Sequence, residues 1–116
     1  MRHQKKKIQL GRSNSHAKML MSQLATSLFL YEKIETTVAK AKALRSYSER
    51  LITLAKVDNV AHRRRADKSL MHKNALKKLF EVIGPKYKEK AGGYTRIRRT
   101  TLRKGDSGEK ATISLV

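Results

Sequence analysis

Hydrophobic positions recur along this chain with two different periods. Between Val38 and Ala55, residues Val38, Ala41, Leu44, Ser48, Leu51, Ile52 and Ala55 share one broad sector of a 3.6-residue wheel. Lys42, Ser46, Glu49, Arg50 and Thr53 lie opposite. The preceding run Ile34-Glu35-Thr36-Thr37 is rich in β-branched residues and reads as a strand, with Thr37 suited to cap the helix that follows. This strand-to-helix unit is the expected centre of the core.

An earlier helix is predicted from a cap among Ser13, Asn14 and Ser15 to a point near Tyr31. Its apolar face is Ala17, Leu20, Met21, Leu24, Ala25, Leu28 and Tyr31, beside a polar strip of Lys18, Ser22 and Thr26. Asp58 or Asn59 caps a third helix, roughly Val60 to Met71, on which Arg63 and Asp67 are one turn apart and able to pair. A fourth starts at Asn74, turns Leu76, Leu79, Phe80 and Ile83 inward, and stops at Gly84-Pro85. Lys86 to Lys90 gives one more irregular turn that places Tyr87 on the core.

Period-two alternation takes over after the turn at Gly92-Gly93. Tyr94 to Thr100 reads as a strand with Arg96 and Arg98 on one side and Ile97 on the other. Lys110 to Val116 reads as a second, with Ala111, Ile113 and Leu115 inward. The two form a hairpin across the turn-rich Arg103 to Gly108, and Ile34 to Thr37 completes the sheet. The expected fold is a two-layer α/β domain: a small three-stranded mixed sheet packed with about four helices. Residues 15–116 form a single globular domain, and residues 1–14 form a basic extended N-terminal arm.

Charge changes the picture from fold to function. Lysine and arginine number 28 against 9 acids, a net charge of +19 over 116 residues. No acid precedes Glu32. Such an imbalance repels itself unless a polyanion neutralises it, and nucleic acid is the expected partner. The chain has no cysteine, which excludes disulfides and thiolate metal sites. No apolar run approaches the roughly 20 residues that span a bilayer. No apolar segment follows the basic start as a signal peptide requires. A cytoplasmic protein is expected.

Catalytic chemistry finds no constellation. His3, His16, His62 and His72 lack metal-ligand spacing. Ser15 and His16 are adjacent without an acid, and Gly92-Gly93-Tyr94 lacks the lysine of a phosphate-binding loop. Glu32 and Glu35 read as surface charges. No enzyme activity, cofactor, metal or small-molecule substrate is expected. Binding residues are more evident. Arg2, Lys5, Lys6, Lys7 and Arg12 lie on the arm, and Lys18 on the first helix. Arg64, Arg65 and Lys68 cluster on the third helix, where like charges one turn apart call for an anionic partner. Arg96, Arg98, Arg99, Arg103 and Lys104 line the hairpin. With few aromatics and no zinc finger or recognition helix, the mode is recognition of shape and backbone. An architectural DNA protein and an RNA-acting enzyme are the competing classes. The first should show a dimer seam, the second a cluster of acid, base or metal ligands, and neither pattern is found.

An ordered set of short runs adds a resemblance. Met1-Arg2-His3, Leu10-Gly11-Arg12, Ser15-His16 and Leu24-Ala25-Thr26-Ser27-Leu28 come first. Ile34-Glu35-Thr36-Thr37, Lys40-Ala41-Lys42 and Leu51-Ile52-Thr53-Leu54-Ala55-Lys56 follow. Lys78-Leu79-Phe80, Gly92-Gly93-Tyr94-Thr95-Arg96-Ile97 and the ending Ala111, Ile113, Leu115-Val116 complete it. In this order they resemble the family of bacterial-type large-subunit ribosomal proteins numbered seventeen. The resemblance implies a structural, non-catalytic constituent of the large ribosomal subunit that supports translation. Its implied partners are large-subunit rRNA and neighbouring ribosomal proteins.

Overall fold

The computed structural model describes residues 10–116. Helix α1 (Asn14–Tyr31) starts at Ser13, whose hydroxyl accepts a hydrogen bond from the His16 amide at 3.4 Å. It ends at Glu32, which turns left-handed (φ 62°) and donates its amide to the Leu28 carbonyl. Strand β1 (Lys33–Thr37) follows at once and passes directly into helix α2 (Val38–Ala55). The Thr37 hydroxyl caps α2 by accepting from the Lys40 amide. All seven residues expected on the inner sector of α2, Ser48 included, are buried.

Strands β2 (Thr95–Leu102) and β3 (Glu109–Leu115) form the hairpin, and the sheet order is β1-β3-β2. Both pairings are antiparallel, with Ile34 and Ile97 each opposite Ile113. The sheet is therefore not mixed. The short β2–β3 connection enforces antiparallel pairing on one side of β3, and β1 runs in the direction of β2 on the other. The helices cover one face: α2 packs on all three strands, and α1 packs on β1 and β3. Ala111 and Ile113 of the central strand are fully buried beneath them. The other face carries Lys33, Glu35, Thr112, Ser114, Arg96 and Arg98, as the alternation of the registers requires.

Three helices differ from the sequence expectation. On α1 the buried face includes Thr26 and Phe29, while Tyr31 is 72 % exposed. Thr26 can go inside because its hydroxyl is satisfied twice, donating to the Ser22 carbonyl at 2.8 Å and accepting from the Met71 amide at 3.1 Å. Helix α3 (Val60–Asp67), capped by Asn59, stops short of Met71. Backbone groups that would continue it are claimed by tertiary partners: the Ser69 carbonyl by the Tyr47 hydroxyl, and the Met71 amide by Thr26. Arg63 does not pair with Asp67. It reaches back to Asp58 with two bonds of 2.6 and 2.8 Å, because helical side chains lean toward the N-terminus.

The fourth helix does not stop at Gly84-Pro85. Helix α4 (Lys73–Lys78) continues through a π-helical stretch, Leu79–Ile83, into a last short turn, α5 (Gly84–Lys86). Gly84 is right-handed (φ −54°), and its amide bonds to the Leu79 carbonyl in the wide π turn. Pro85 falls at the start of α5, where its missing N–H is tolerated. Leu79, Phe80, Ile83 and Tyr87 are buried as expected. Glycine is required at position 84 by proximity, since a Cβ there would lie 2.4 Å from the carbonyl oxygen of Ala55 at the end of α2.

Candidate functional site

The helices present the basic residues on different sides. Arg64, Arg65 and Lys68 do not form one cluster. They fan out around the short α3 and its end, each beside a different surface hollow. Lys68 faces Lys18 of α1 across a hollow that also holds Met19 and Met71. Arg65 shares a second hollow with Arg50 of α2. Arg64 borders a third with Lys73 and Lys77, where Asp67 and Glu81 also stand. Arg12 lies half-buried just ahead of α1 and donates to the Leu10 carbonyl at 2.6 Å. Arg2, Lys5, Lys6 and Lys7 lie outside the described residues.

The hairpin separates its arginines by strand alternation. Arg96 and Arg98 project from the open face opposite Ser114 and Thr112. Arg99, one residue on, takes the side of Ile97 and pairs with Glu109 at 3.6 Å. Arg103 is held within its own turn by Asp106, through bonds of 3.0 and 2.5 Å. Lys104 beside it is exposed. Arg96, Arg98 and Lys104 thus have no acid as an ion-pair partner among the described residues.

Six of the nine acids are committed to architecture. Glu32 pairs with Lys78 at 3.6 Å and Glu35 with Lys110 at 3.3 Å. Glu49, expected on the outer side of α2, accepts from both the amide and the hydroxyl of Thr95, at 3.3 and 2.9 Å, and ties α2 to the start of β2. Arg103 and the Gly108 amide hold the Asp106 carboxyl well below the usual carboxylate range, and Arg63 lowers Asp58 likewise. A carboxylate depressed in the folded state stabilises above its ordinary pKa and loses that contribution as pH falls through the folded value. Carboxyl-carbon NMR should therefore find Asp106 titrating well below 3.8, and an Arg103→Ala variant should raise it toward the ordinary value, with the Gly108 amide holding back the remainder. Titration near 3.8 in the parent chain would mean that Arg103 is free for other anions.

Sequence reasoning missed Arg50, Tyr47 and Lys33. Arg50 faces Arg65 only because α2 and α3 pack together. Tyr47 sits at the margin of the apolar sector of α2, and its hydroxyl finds Ser69 from 22 residues away. Lys33 joins Arg96 on the open face through the central Ser114. Among the described residues no group of His, Cys, Asp or Glu is arranged to hold a metal ion.

Comparison with known proteins places this architecture. Residues 20–116 match the family model for Ribosomal protein L17. The chain belongs to the ribosomal protein L17 family. It is 50% identical over 116 residues to the large ribosomal subunit protein bL17 of Koribacter versatilis, covering all of this chain and 72% of that one. It is 48% identical over 107 residues to the bL17 protein of Endomicrobium trichonymphae, covering 92% of each. The bL17 protein of Fusobacterium nucleatum is 47% identical over 116 residues, covering 100% of both. In this L17-family chain two of the conspicuous runs prove architectural: Ile34 to Thr37 is an edge strand, and Leu51 to Lys56 is the end of α2 that meets Gly84. Among the described residues no helix is long and apolar enough to cross a membrane.

Proposed function

We propose that this chain is a structural constituent of the large ribosomal subunit, in the cytoplasm, and stabilises large-subunit rRNA without catalysis. The observation that carries the reading is an unneutralised basic surface on a family-assigned scaffold. Cations outnumber acids 28 to 9, and Glu32, Glu35, Asp58, Asp106 and Glu109 are all held in ion pairs within the fold. The surplus charge faces outward from separate elements: Lys18 on α1, Arg64, Arg65 and Lys68 around α3, and Arg96 and Arg98 on the open sheet face. A wide, discontinuous basic surface suits a folded polyanion that touches several sides at once. The residues ahead of the Ser13 cap serve as a basic arm and those from Ser13 onward as the folded domain. Neighbouring proteins of the large subunit complete the surroundings.

Sedimentation of a tagged copy from lysate at low and high salt tests this. Stoichiometric, salt-resistant recovery with the large subunit is the expected result. Release at moderate salt, or recovery with DNA, would overturn it.

The α3 residues carry a separate expectation. Replacing Arg64, Arg65 and Lys68 together with alanine should reduce the salt dependence of rRNA binding by about one unit of log–log slope per lost phosphate contact. An unchanged slope in filter-binding titrations would remove all three from the interface.

A further inference from the structure

The two hollows beside Arg65 and Lys68 have a common wall. Tyr47 and Ser69, joined hydroxyl to carbonyl at 2.8 Å, line both. The first hollow is about 590 Å³ and is bordered by α1 and the segment after α3. Its apolar surface comes from Met19, Leu70 and Met71, and its charges are Lys18 and Lys68. The second is about 350 Å³ and lies between α2 and α3, with Leu51 and Leu54 inside and Arg50 and Arg65 at the rim. Both volumes fall in the range that holds small organic groups, about 300–1,000 Å³.

The pair differs from the surface around it in charge. Four cations border the two hollows and no acid does. Two other hollows on this chain include carboxylates, Glu49 in one and Asp67 with Glu81 in the other. Apolar surface is also left uncovered here. Met19 and Met71 are each 53 % exposed on the same hollow, and methionine adapts its shape to flat or irregular partners. A phosphate backbone alone would need the cations and have no use for the apolar interior. A paired RNA helix keeps its bases stacked inside and presents sugars and phosphates.

We propose that the double hollow receives unstacked nucleotides from a loop or bulge of RNA, a base on either side of Tyr47. The linking phosphates lie on Lys18 and Lys68 at one end and on Arg50 and Arg65 at the other. This rests on the rRNA reading and narrows it. Recognition of shape and backbone applies to the sheet face and α3, while this groove takes bases. Largely apolar hollows whose only charged residues are cations complement a nucleotide in both its parts. The Tyr47 hydroxyl stays occupied by Ser69, so the ring offers its face and edge, and the groove is tolerant of base identity.

Two measurements test it. The first maps ultraviolet cross-links in purified large subunits that carry thiouridine-substituted rRNA. Nucleotide adducts on the peptides holding Met19, Tyr47 or Met71 are expected. Adducts on other peptides of the chain and none on those three would overturn the groove and leave the rRNA reading standing. Absence of the chain from the subunit would overturn both. The second measures binding of the full chain to a labelled oligouridine of about eight nucleotides and to a blunt RNA duplex of equal charge. Met19→Glu with Met71→Glu alters only half-exposed side chains, so the fold is retained. The oligouridine should bind about tenfold more weakly than to the parent, a far larger loss than for the duplex. Equal losses for the two RNAs would mean that the introduced charge acts through the general field, and the groove would be abandoned.

Discussion

Replacing Phe29 with alanine is expected to remove about 3–5 kcal/mol of stability, the usual range for deleting a buried ring. Phe29 is fully buried on α1, the helix that packs against α2, α4, β1 and β3. The cavity cannot close cheaply, because those neighbours are held by their own strand pairings and caps. Domains of this size are stable by only about 5–15 kcal/mol in total, so the variant should unfold at a much lower urea concentration with an unchanged slope. Tyr31→Ala, two residues further on, is the matched control. Its ring is 72 % exposed, and the change should stay within about 0.5 kcal/mol. Similar losses for the two variants would show that α1 presents a different face to the core.

Gly84→Ala should be destabilising by about 2–3 kcal/mol, although alanine is the better helix former by about 1 kcal/mol. The residue is right-handed and inside a helix, where alanine normally helps. Here the new Cβ would meet the Ala55 carbonyl oxygen at 2.4 Å and the Leu79 carbonyl oxygen at 3.2 Å. Both are backbone atoms, so no side-chain rotation relieves the clash. The end of α2 and the π-helical stretch must separate, loosening the site where Ala55 and Ile83 are buried. Thermal unfolding of the two proteins side by side gives the sign. A raised midpoint would mean that the elements do not approach so closely in solution.

These two residues also show where sequence reasoning reached its limit. The inner sector of α2 was legible throughout, because charged residues mark its outer side and leave one choice of face. On α1 the run from Leu24 to Tyr31 is apolar on more than one stripe, with threonine and serine between. The pattern alone favours the stripe through Leu28 and Tyr31. The packed helix is rotated toward Thr26 and Phe29, and there the Thr26 hydroxyl is met by the Met71 amide, 45 residues away. Gly84 was recognisable as special but not for its reason. Sequence suggests a helix end, whereas the cause is a backbone carbonyl from another helix.

The candidate site followed the same division. Basic residues were legible as types and as a total, so the class of partner could be reasoned from charge. Their grouping was not. Arg64, Arg65 and Lys68 look like one cluster along the chain and border three different hollows in space. Arg103 looked available and is engaged by Asp106 three residues away, a turn-specific bond that spacing permits but does not require.

Strand order carries a consequence for synthesis. The central strand of the sheet, β3, comes last in sequence, and β1 and β2 meet only through it. A nascent chain that has emerged as far as residue 108 holds two edge strands with nothing between them. Its helices can form early from local contacts, but the sheet closes only once β3 is free of the tunnel. The register then sets in one late step, with Ile113 entering between Ile34 and Ile97. Until that moment the edges of β1 and β2 that pair with β3 have their backbone N–H and C=O groups unmatched, which makes the interval before β3 emerges the time when the sheet is most open to wrong pairing and aggregation.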